Sequence, residues 1–289
     1  MSIARRALHG DFGRIALLEM DRSLVRHVHS ECHVLLKATG ENTCFSVGGR
    51  LHELTERTAV LVSAGEPHDY VHRPGAAPTL ILALYIEPRW LAMHRRSLRA
   101  SAHPSFFPDP SVTLTPAMRR LSQQLVGEML TSEELPRERL EPLLFELLVL
   151  IFERHSDWRH LSRHPSELPV RSAPPFDARV RRANAIMLER LPARIDMQWL
   201  ARECGLSRSQ FFALYRQHTR TTPQMFVNMR RMQLACEWLS RDRRRTLADL
   251  SETLGFSEQA HFTRFFQRHL GAAPSQYRRV LDWYDPGER

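Results

Sequence analysis

The stretch that decides the fold of the C-terminal half is LGFSEQAHFTRFFQRHLGAAPSQY, residues 254–277. Gly255 suits the positive φ of a tight turn between two helices, and Ser257 is predicted to cap the helix that follows. Gly271 is predicted to end that helix. Between them, apolar side chains and a histidine recur at helical spacing: Phe262, Phe265, Phe266 and His269. The stretch therefore predicts the turn and second helix of a helix-turn-helix.

The same pattern occurs once more upstream. Gly205 corresponds to Gly255 at an offset of 50 residues, and Pro223 corresponds to Pro274 at an offset of 51. The second copy therefore carries one additional residue after its turn. Two helix-turn-helix units in tandem are predicted, joined by a helical run over 223–239.

In the second unit, the face away from the aromatic side chains has the composition of a helix that contacts DNA: Gln259, Ala260, His261, Arg264 and Arg268. Arg264 is the best candidate for a base contact, because a guanidinium pairs with two acceptors on guanine. A phosphate contact by the same side chain stays open, since most protein–DNA hydrogen bonds go to the backbone.

In the first unit, the corresponding positions are predicted to read bases: Ser209, Gln210, Phe212 and Ala213. Arg208 and Arg216 are predicted to bind phosphates. Phe212 has two interpretations, either an exposed ring against a thymine methyl group or a ring in the core. Two recognition helices in one domain are expected to enter successive major grooves, about 34 Å apart.

Residues 177–281 resemble the DNA-binding domain of the AraC/XylS transcription regulators. The resemblance rests on Gly255-Phe256-Ser257 followed by Phe262, Arg264, Phe266, Gly271, Pro274 and Tyr277-Arg278. It implies promoter DNA and RNA polymerase as partners, a small-molecule effector and a homodimer. The resemblance also implies an activating role, while the sequence itself leaves activation and repression open. At Phe212 and Ala213 the chain departs from the family, where many members carry a small polar residue and an arginine.

The positive charge of the chain lies in this half. The formal net charge is +9, from 41 basic and 32 acidic residues. From Arg171 to the end there are 21 basic and 12 acidic residues, so the first 170 residues are neutral. Phosphate binding explains this split, because cations that displace counterions from DNA gain free energy. An arginine-rich surface in contact with solvent alone is the alternative.

The first 112 residues read as short strands separated by glycine turns. The predicted strands are residues 15–19, 33–37, 44–47, 59–62 and 80–86. Many short strands with such turns are typical of a closed barrel or a jelly roll. A small barrel can hold one small ligand, so its interior is the expected effector site.

Four histidines of this half are assigned to the effector pocket: His27, His29, His33 and His68. The His27-Val28-His29 spacing would place two imidazoles on one face of a strand. The set resembles the two cupin motifs, except that His33 replaces the usual glutamate and Ser63 stands where a proline is usual. No metal ligand is assigned, although imidazoles would suit a divalent metal such as zinc, nickel, copper or iron.

Residues 113–159 are predicted to form a helical hairpin, broken near Leu135-Pro136. Pro116 and Pro142 fit best in first helical turns. The second helix has a leucine-rich surface, which favours a dimer interface. A hairpin that only covers the barrel is the alternative.

The predicted organisation is an α+β chain of two domains: a cupin-like effector-binding barrel over 1–112 with the helical hairpin over 113–159, and an all-α domain over 176–285 with two helix-turn-helix units. A proline-rich linker is predicted over 160–175. No apolar run is long enough to cross a membrane and the N-terminus lacks a signal core, so cytoplasm is expected. The four cysteines form no CxxC pair and are expected to be free thiols.

The leading functional prediction is an effector-responsive, sequence-specific transcription regulator without enzymatic activity. One alternative is a cupin metalloenzyme fused to a DNA-binding domain, which would need a bound metal with an open coordination position. A nonspecific DNA-binding protein is the other. Two dissimilar recognition helices argue against it, because a protein that reads only shape has little use for two base-facing sets.

Overall fold

The computed structural model describes residues 2–163, 177–191, 193, 195–242 and 244–284. Its strands are β1 (Ile3–Gly10), β2 (Gly13–Met20), β3 (Cys32–Gly40), β4 (Thr43–Val47), β5 (Arg50–Leu54), β6 (Thr58–Val62), β7 (His68–Val71), β8 (Thr79–Ile86), β9 (Ser111–Thr113) and β10 (Leu281–Trp283). Its helices are α1 (Pro88–His94), α2 (Pro116–Thr131), α3 (Arg137–His155), α4 (Trp158–Arg163), α5 (Ala178–Arg190), α6 (Met197–Glu203), α7 (Arg208–Thr219), α8 (Pro223–Arg241), α9 (Leu247–Thr253), α10 (Gln259–Leu270) and α11 (Pro274–Arg279). A 3₁₀ helix covers Arg96–Ala102.

The strands form two sheets, ordered β10-β1-β2-β8-β3-β6-β9 and β5-β4-β7. All five predicted strand runs lie within observed strands. The turn between β4 and β5 is made by Gly48 and Gly49, both with positive φ, as a tight hairpin requires. The predicted β-rich N-terminal domain is confirmed.

One strand prediction is wrong. His27 and His29 lie in the loop between β2 and β3, where only an isolated bridge pairs His27 with His68. The run before His33 is too polar and too rich in charged residues to bury a strand on either face. The two imidazoles still come together, as described below.

The helical hairpin covers the outer face of the large sheet. The leucine-rich face of α3 is fully buried against the sheet and α1 in this chain, including Leu144, Leu147 and Leu148. These leucines therefore pack within the chain, as a hairpin that covers the barrel requires, and dimerisation through the hairpin stays a prediction that would need another of its surfaces. Pro142 lies inside α3 rather than in its first turn, because α3 begins at Arg137 after the N-cap Pro136.

Both helix-turn-helix units form as predicted, with one difference in capping. Ser207 caps α7 in a capping box with Gln210. The N-cap of α10 is Glu258, without a side-chain bond, while the hydroxyl of Ser257 pairs with Nδ1 of His261 at 2.9 Å. The predicted cap at Ser257 is therefore wrong by one residue. The additional residue of the second unit lies at this point, between its turn and the start of α10.

The two units have different cores. The first unit has a core of its own, built by α5, α6, α7 and α8 around Phe211 and Tyr215. The second unit shares one core with the inner face of the sheets. Its Phe262, Phe266 and Tyr277 are fully buried. The C-terminal strand β10 pairs in parallel with β1. The last strand of the predicted helical domain therefore belongs to the large sheet of the N-terminal domain.

The predicted linker begins too early. Residues 160–163 belong to α4, which buries Trp158 and Leu161 in the core of the N-terminal domain. Residues 164–175 of that prediction lie outside the described residues. Among the helices that the structure describes, none has both the length and the apolar character to cross a membrane. All four cysteines are free thiols, as expected.

The role of the α3 leucines can be tested by truncation. Leu148→Ala is expected to lower the free energy of unfolding by about 2–5 kcal/mol, because it removes buried methyl groups and leaves a cavity. Leu130→Ala, on an exposed part of α2, is the control and should change it by less than about 0.5 kcal/mol. Urea unfolding measures both. A dissociated oligomer with unchanged monomer stability in Leu148→Ala would instead support the interface.

Candidate DNA interface and histidine site

Helix α10 has two clearly different faces. Phe262 and Phe266 are buried in the core shared with the sheets. The predicted DNA-contacting residues lie on the opposite, exposed face: Gln259, Ala260, His261, Arg264 and Arg268. The last turn is fixed to the N-terminal domain, because the amide of Val25 donates to the carbonyl of Arg268 at 3.0 Å. This hydrogen bond and the shared core set the orientation of that face relative to the N-terminal domain.

Helix α7 also exposes its predicted contact residues: Arg208, Ser209, Gln210, Ala213 and Arg216. Gln210 is engaged locally, since its side-chain oxygen accepts from the amide of Ser207 at 3.0 Å. Phe212 is half-buried and packs edge-on against Phe211, with ring centroids 5.9 Å apart. Both interpretations of Phe212 are therefore partly correct, because one side of the ring packs on the core and the other side is accessible.

The base-reading role of Arg264 can be separated from its charge. Arg264→Ala is expected to reduce discrimination at one base pair of the preferred site by about 1–3 kcal/mol. Arg120→Ala removes the same charge from an exposed position on α2 and should leave DNA binding unchanged. Binding of both variants to a set of single-base variants of the site measures this. A uniform loss across all sequences would assign Arg264 to a phosphate instead.

The four predicted histidines form one cluster, which we call the histidine cluster: His27, His29, His33 and His68. The ring centroid of His27 lies 4.7 Å from that of His29 and 4.5 Å from that of His68. His33 stacks on Tyr85 with ring centroids 4.0 Å apart. All but His29 are buried, and His29 is half-buried.

The tautomers of two of these rings follow from their hydrogen bonds. Nδ1 of His27 lies 2.7 Å from the carbonyl of Val25, and Nδ1 of His68 lies 2.9 Å from the carbonyl of Glu66. A carbonyl only accepts, so Nδ1 carries the proton in both rings. Burial lowers the pKa of His68 to about 4 and lowers the pKa of the other three well below the usual range. All four rings are therefore neutral at pH 7.

The space beside the cluster lies at the mouth of the barrel, not inside it. The interior between the sheets contains a cavity of only about 20 Å³. A larger cavity of about 320 Å³ lies between the sheet and helices α8 and α10; we call it the seam cavity. Its walls carry Arg14, His27, His29, Glu31, Glu87, Gln233, Cys236 and His269. Ligand pockets for small molecules start at about 300 Å³, so the seam cavity is large enough and the barrel interior is not.

The charged residues that line the seam cavity, among them Arg14, Glu31 and Glu87, were not assigned to a ligand site from the sequence. Arg14 lies on β2 with its guanidinium 3.6 Å above the ring of Tyr85, and it donates to the sulfur of Cys236 on α8 at 3.2 Å. Glu31 and Glu87 lie in the same wall. No local pattern marks these residues, because the cavity forms only where two domains that are distant in sequence meet.

The seam is held by specific polar contacts as well as by the shared core. Nε2 of His9 lies 2.8 Å from the hydroxyl of Tyr277. The amide of Ala4 donates to the side-chain oxygen of Gln276 at 2.9 Å. Arg6 on β1 forms an ion pair with Asp282 at 2.8 Å. Each contact joins β1 to the end of the chain.

Gly271 brings the second helix-turn-helix unit into close contact with β2. Its φ is +96°, and an added Cβ would lie 2.9 Å from the Sδ and Cε atoms of Met20. Gly271→Ala is expected to destabilise the chain by about 1–2 kcal/mol of left-handed strain and by the further cost of displacing the buried end of the Met20 side chain. Gly75→Ala, at φ +81° with no atom near the added Cβ, should cost the strain alone.

Urea unfolding and limited proteolysis of the two glycine variants measure this difference. Faster cleavage within 244–284 in Gly271→Ala, but not in Gly75→Ala, is the expected sign of a loosened seam. Equal stability and equal cleavage rates in both variants would show that the second helix-turn-helix unit does not depend on this contact.

Two exposed recognition helices beside a β-sheet domain with a ligand-sized cavity define a ligand-responsive DNA-binding protein. Comparison with known proteins agrees with this class. Residues 9–148 match the AraC-like ligand binding domain, and residues 200–280 match a helix-turn-helix domain. The chain belongs to the AraC family of transcription regulators.

Individual relatives are distant. The chain is 30% identical over 144 residues to the probable transcriptional regulator LumQ of Photobacterium leiognathi, a match that covers 46% of this chain and 58% of LumQ. It is 28% identical over 229 residues to the arabinose operon regulatory protein of Salmonella typhimurium, covering 76% of this chain and 73% of the relative. A crystal structure of an apo ToxT variant from Vibrio cholerae has the same fold, with a TM-score of 0.55, 9% identity, and coverage of 93% and 97% of the two chains.

Proposed function

We propose that this chain is an effector-responsive transcription regulator. Helices α7 and α10 read promoter DNA, and a small molecule bound in the seam cavity alters how the two helices are held. One observation carries the proposal: α10 presents Arg264 and Arg268 on an exposed face and buries Phe262 and Phe266 in the core of the sensor domain. A helix that belongs to both domains responds to a change in either.

The electrostatics of the DNA-binding half support the proposal. The whole excess of +9 lies after residue 170, and the exposed arginines of α7 and α10 supply part of it. Counterion release predicts that affinity for DNA falls steeply with salt, on the order of 10³-fold between 50 and 200 mM for about six phosphates.

The effector acts by linkage. A ligand shifts DNA affinity only as far as its own affinity differs between the DNA-competent and the DNA-incompetent arrangement. The seam cavity suits such a ligand because its walls come from β2, α8 and α10 together. Arg14, Glu31 and Glu87 offer charges of both signs, which favours a polar effector over an apolar one.

We further propose, from the family alone, that the chain binds RNA polymerase, that it forms a homodimer and that it activates transcription. Any dimer interface would have to use a surface other than the α3 leucines. Promoter binding would place the protein in the cytoplasm. The metalloenzyme alternative is less favoured, because the family consists of transcription regulators.

The proposal is tested by selecting preferred sites from random DNA with the full chain. We expect one site with two elements about 10 base pairs apart, the spacing of successive major grooves. Enrichment of no sequence over the starting pool would contradict the proposal and favour the nonspecific binder.

The effector site is tested by comparing Arg14→Leu with Arg50→Leu, which removes the same charge from an exposed position on β5. Compounds that shift the melting temperature of the wild type are scored for their effect on affinity for the selected site. Arg14→Leu should lose the response and keep the affinity, and Arg50→Leu should keep both. An intact response in Arg14→Leu would exclude the seam cavity.

A further inference from the structure

The histidine cluster brings several buried ring nitrogens close together. Since Nδ1 carries the proton in His27 and His68, Nε2 of each ring is an acceptor. Nε2 of His29 and Nε2 of His33 are buried without a hydrogen-bond partner among the described residues. Buried polar atoms in folded proteins are nearly always paired, so an unpaired group of this kind needs an explanation.

One ring nitrogen each of His27, His29 and His68 lies within 4.8 Å of the other two. We propose that these three histidines bind a divalent transition metal of the zinc class. The metal would lie between these three nitrogens, at Zn–N distances of about 2.0–2.1 Å once the rings have moved closer together.

The positions of the three rings are fixed by the backbone. His27 and His68 exchange both backbone hydrogen bonds, at 2.9 and 3.0 Å, and the amide of Gly65 donates to the carbonyl of His29 at 2.7 Å. The Nδ1–H groups of His27 and His68 are held by carbonyl oxygens, which is the arrangement that orients metal-binding histidines. The backbone therefore brings the three rings together, and metal binding would need only a movement of the side chains.

The donor set selects the metal. Three imidazoles without a carboxylate suit Zn²⁺, Cu²⁺, Ni²⁺ or Fe²⁺ and do not suit Mg²⁺ or Ca²⁺, which prefer oxygen. Three protein ligands leave the fourth position of tetrahedral zinc open. His27 and His29 also line the seam cavity, so that position is directed toward an effector or toward α10, whose His269 ring lies 6.3 Å from His27.

A metal-free network is the competing explanation. Nδ1 of His33 lies 3.4 Å from Nε2 of His68 and would donate to it. That contact is longer than an ordinary N–H hydrogen bond and leaves Nε2 of His29 and Nε2 of His33 without a partner among the described residues. A metal would engage all three rings at once.

The regulatory consequence of this metal rests on the proposed function, whereas its binding does not. The test uses the purified full chain, stripped with a chelator and titrated with Zn²⁺ against a chromogenic competitor, and with Co²⁺ as a spectroscopic probe. We expect one equivalent to bind and Co²⁺ to give the visible absorption of a tetrahedral site. His29→Gln and His68→Gln should weaken binding by roughly 100-fold, since loss of a ligand exceeds the 10–100-fold typical of its supporting partners.

The matched control is His52→Gln, which removes a histidine from β5 and should leave the affinity unchanged. His29 is half-buried, so His29→Gln is the variant expected to fold normally, and circular dichroism of the metal-free proteins verifies this. Absence of a stoichiometric site in the wild type, or equal affinity in His29→Gln and wild type, would overturn the proposal.

Affinity of the same metal-free and metal-loaded samples for the selected DNA site separates this inference from the proposed function. Loss of specific DNA binding in every sample would contradict the proposed function as a regulator but would not affect the proposed metal site. A stoichiometric metal that changes operator affinity would support both, and would make the metal part of the signal.

Discussion

The structure depends on one shared apolar core. The inner face of the sheets and the second helix-turn-helix unit bury their side chains against each other, so Phe262, Phe266 and Tyr277 complete a core that begins with residues of β1 and β2. Removing apolar surface from water favours this contact by about 25 cal/mol per Å². Neither partner can bury its apolar face alone. The second unit is therefore a structural part of the sensor as well as a DNA reader.

The asymmetry between the two units follows from this constraint. The first unit closes its own core around Phe211 and Tyr215, and the structure joins it to the second through the long helix α8. A change at the seam reaches α10 through direct packing and reaches α7 only through α8. Since α8 also lines the seam cavity, the ligand that we propose there would act on both recognition helices, and by linkage DNA would change the affinity for that ligand.

The sequence predicts features that repeat locally. Turn glycines, capping residues and helical spacing identify both helix-turn-helix units, because these signals depend on neighbours within a few residues. It does not predict the pairing of β10 with β1 or the burial of the α3 leucines, because a leucine face looks the same whether it covers a sheet or a second chain. Arg14 and Cys236 are 222 residues apart and meet only after both domains have folded.

The position of the histidines depends on packing as well as on their spacing in the sequence. The spacing of His27 and His29 suggested a strand inside a barrel, yet the interior is filled by side chains such as Leu35, Phe45 and Tyr70. Close packing leaves no room there for an organic molecule. A polar loop, free of the need to alternate buried and exposed positions, can instead bring two imidazoles to the edge of the sheet, where His68 meets them. The histidines thus lie at the surface that touches the DNA-binding helices, and the ligand that we propose for the seam cavity would contact α8 and α10 directly.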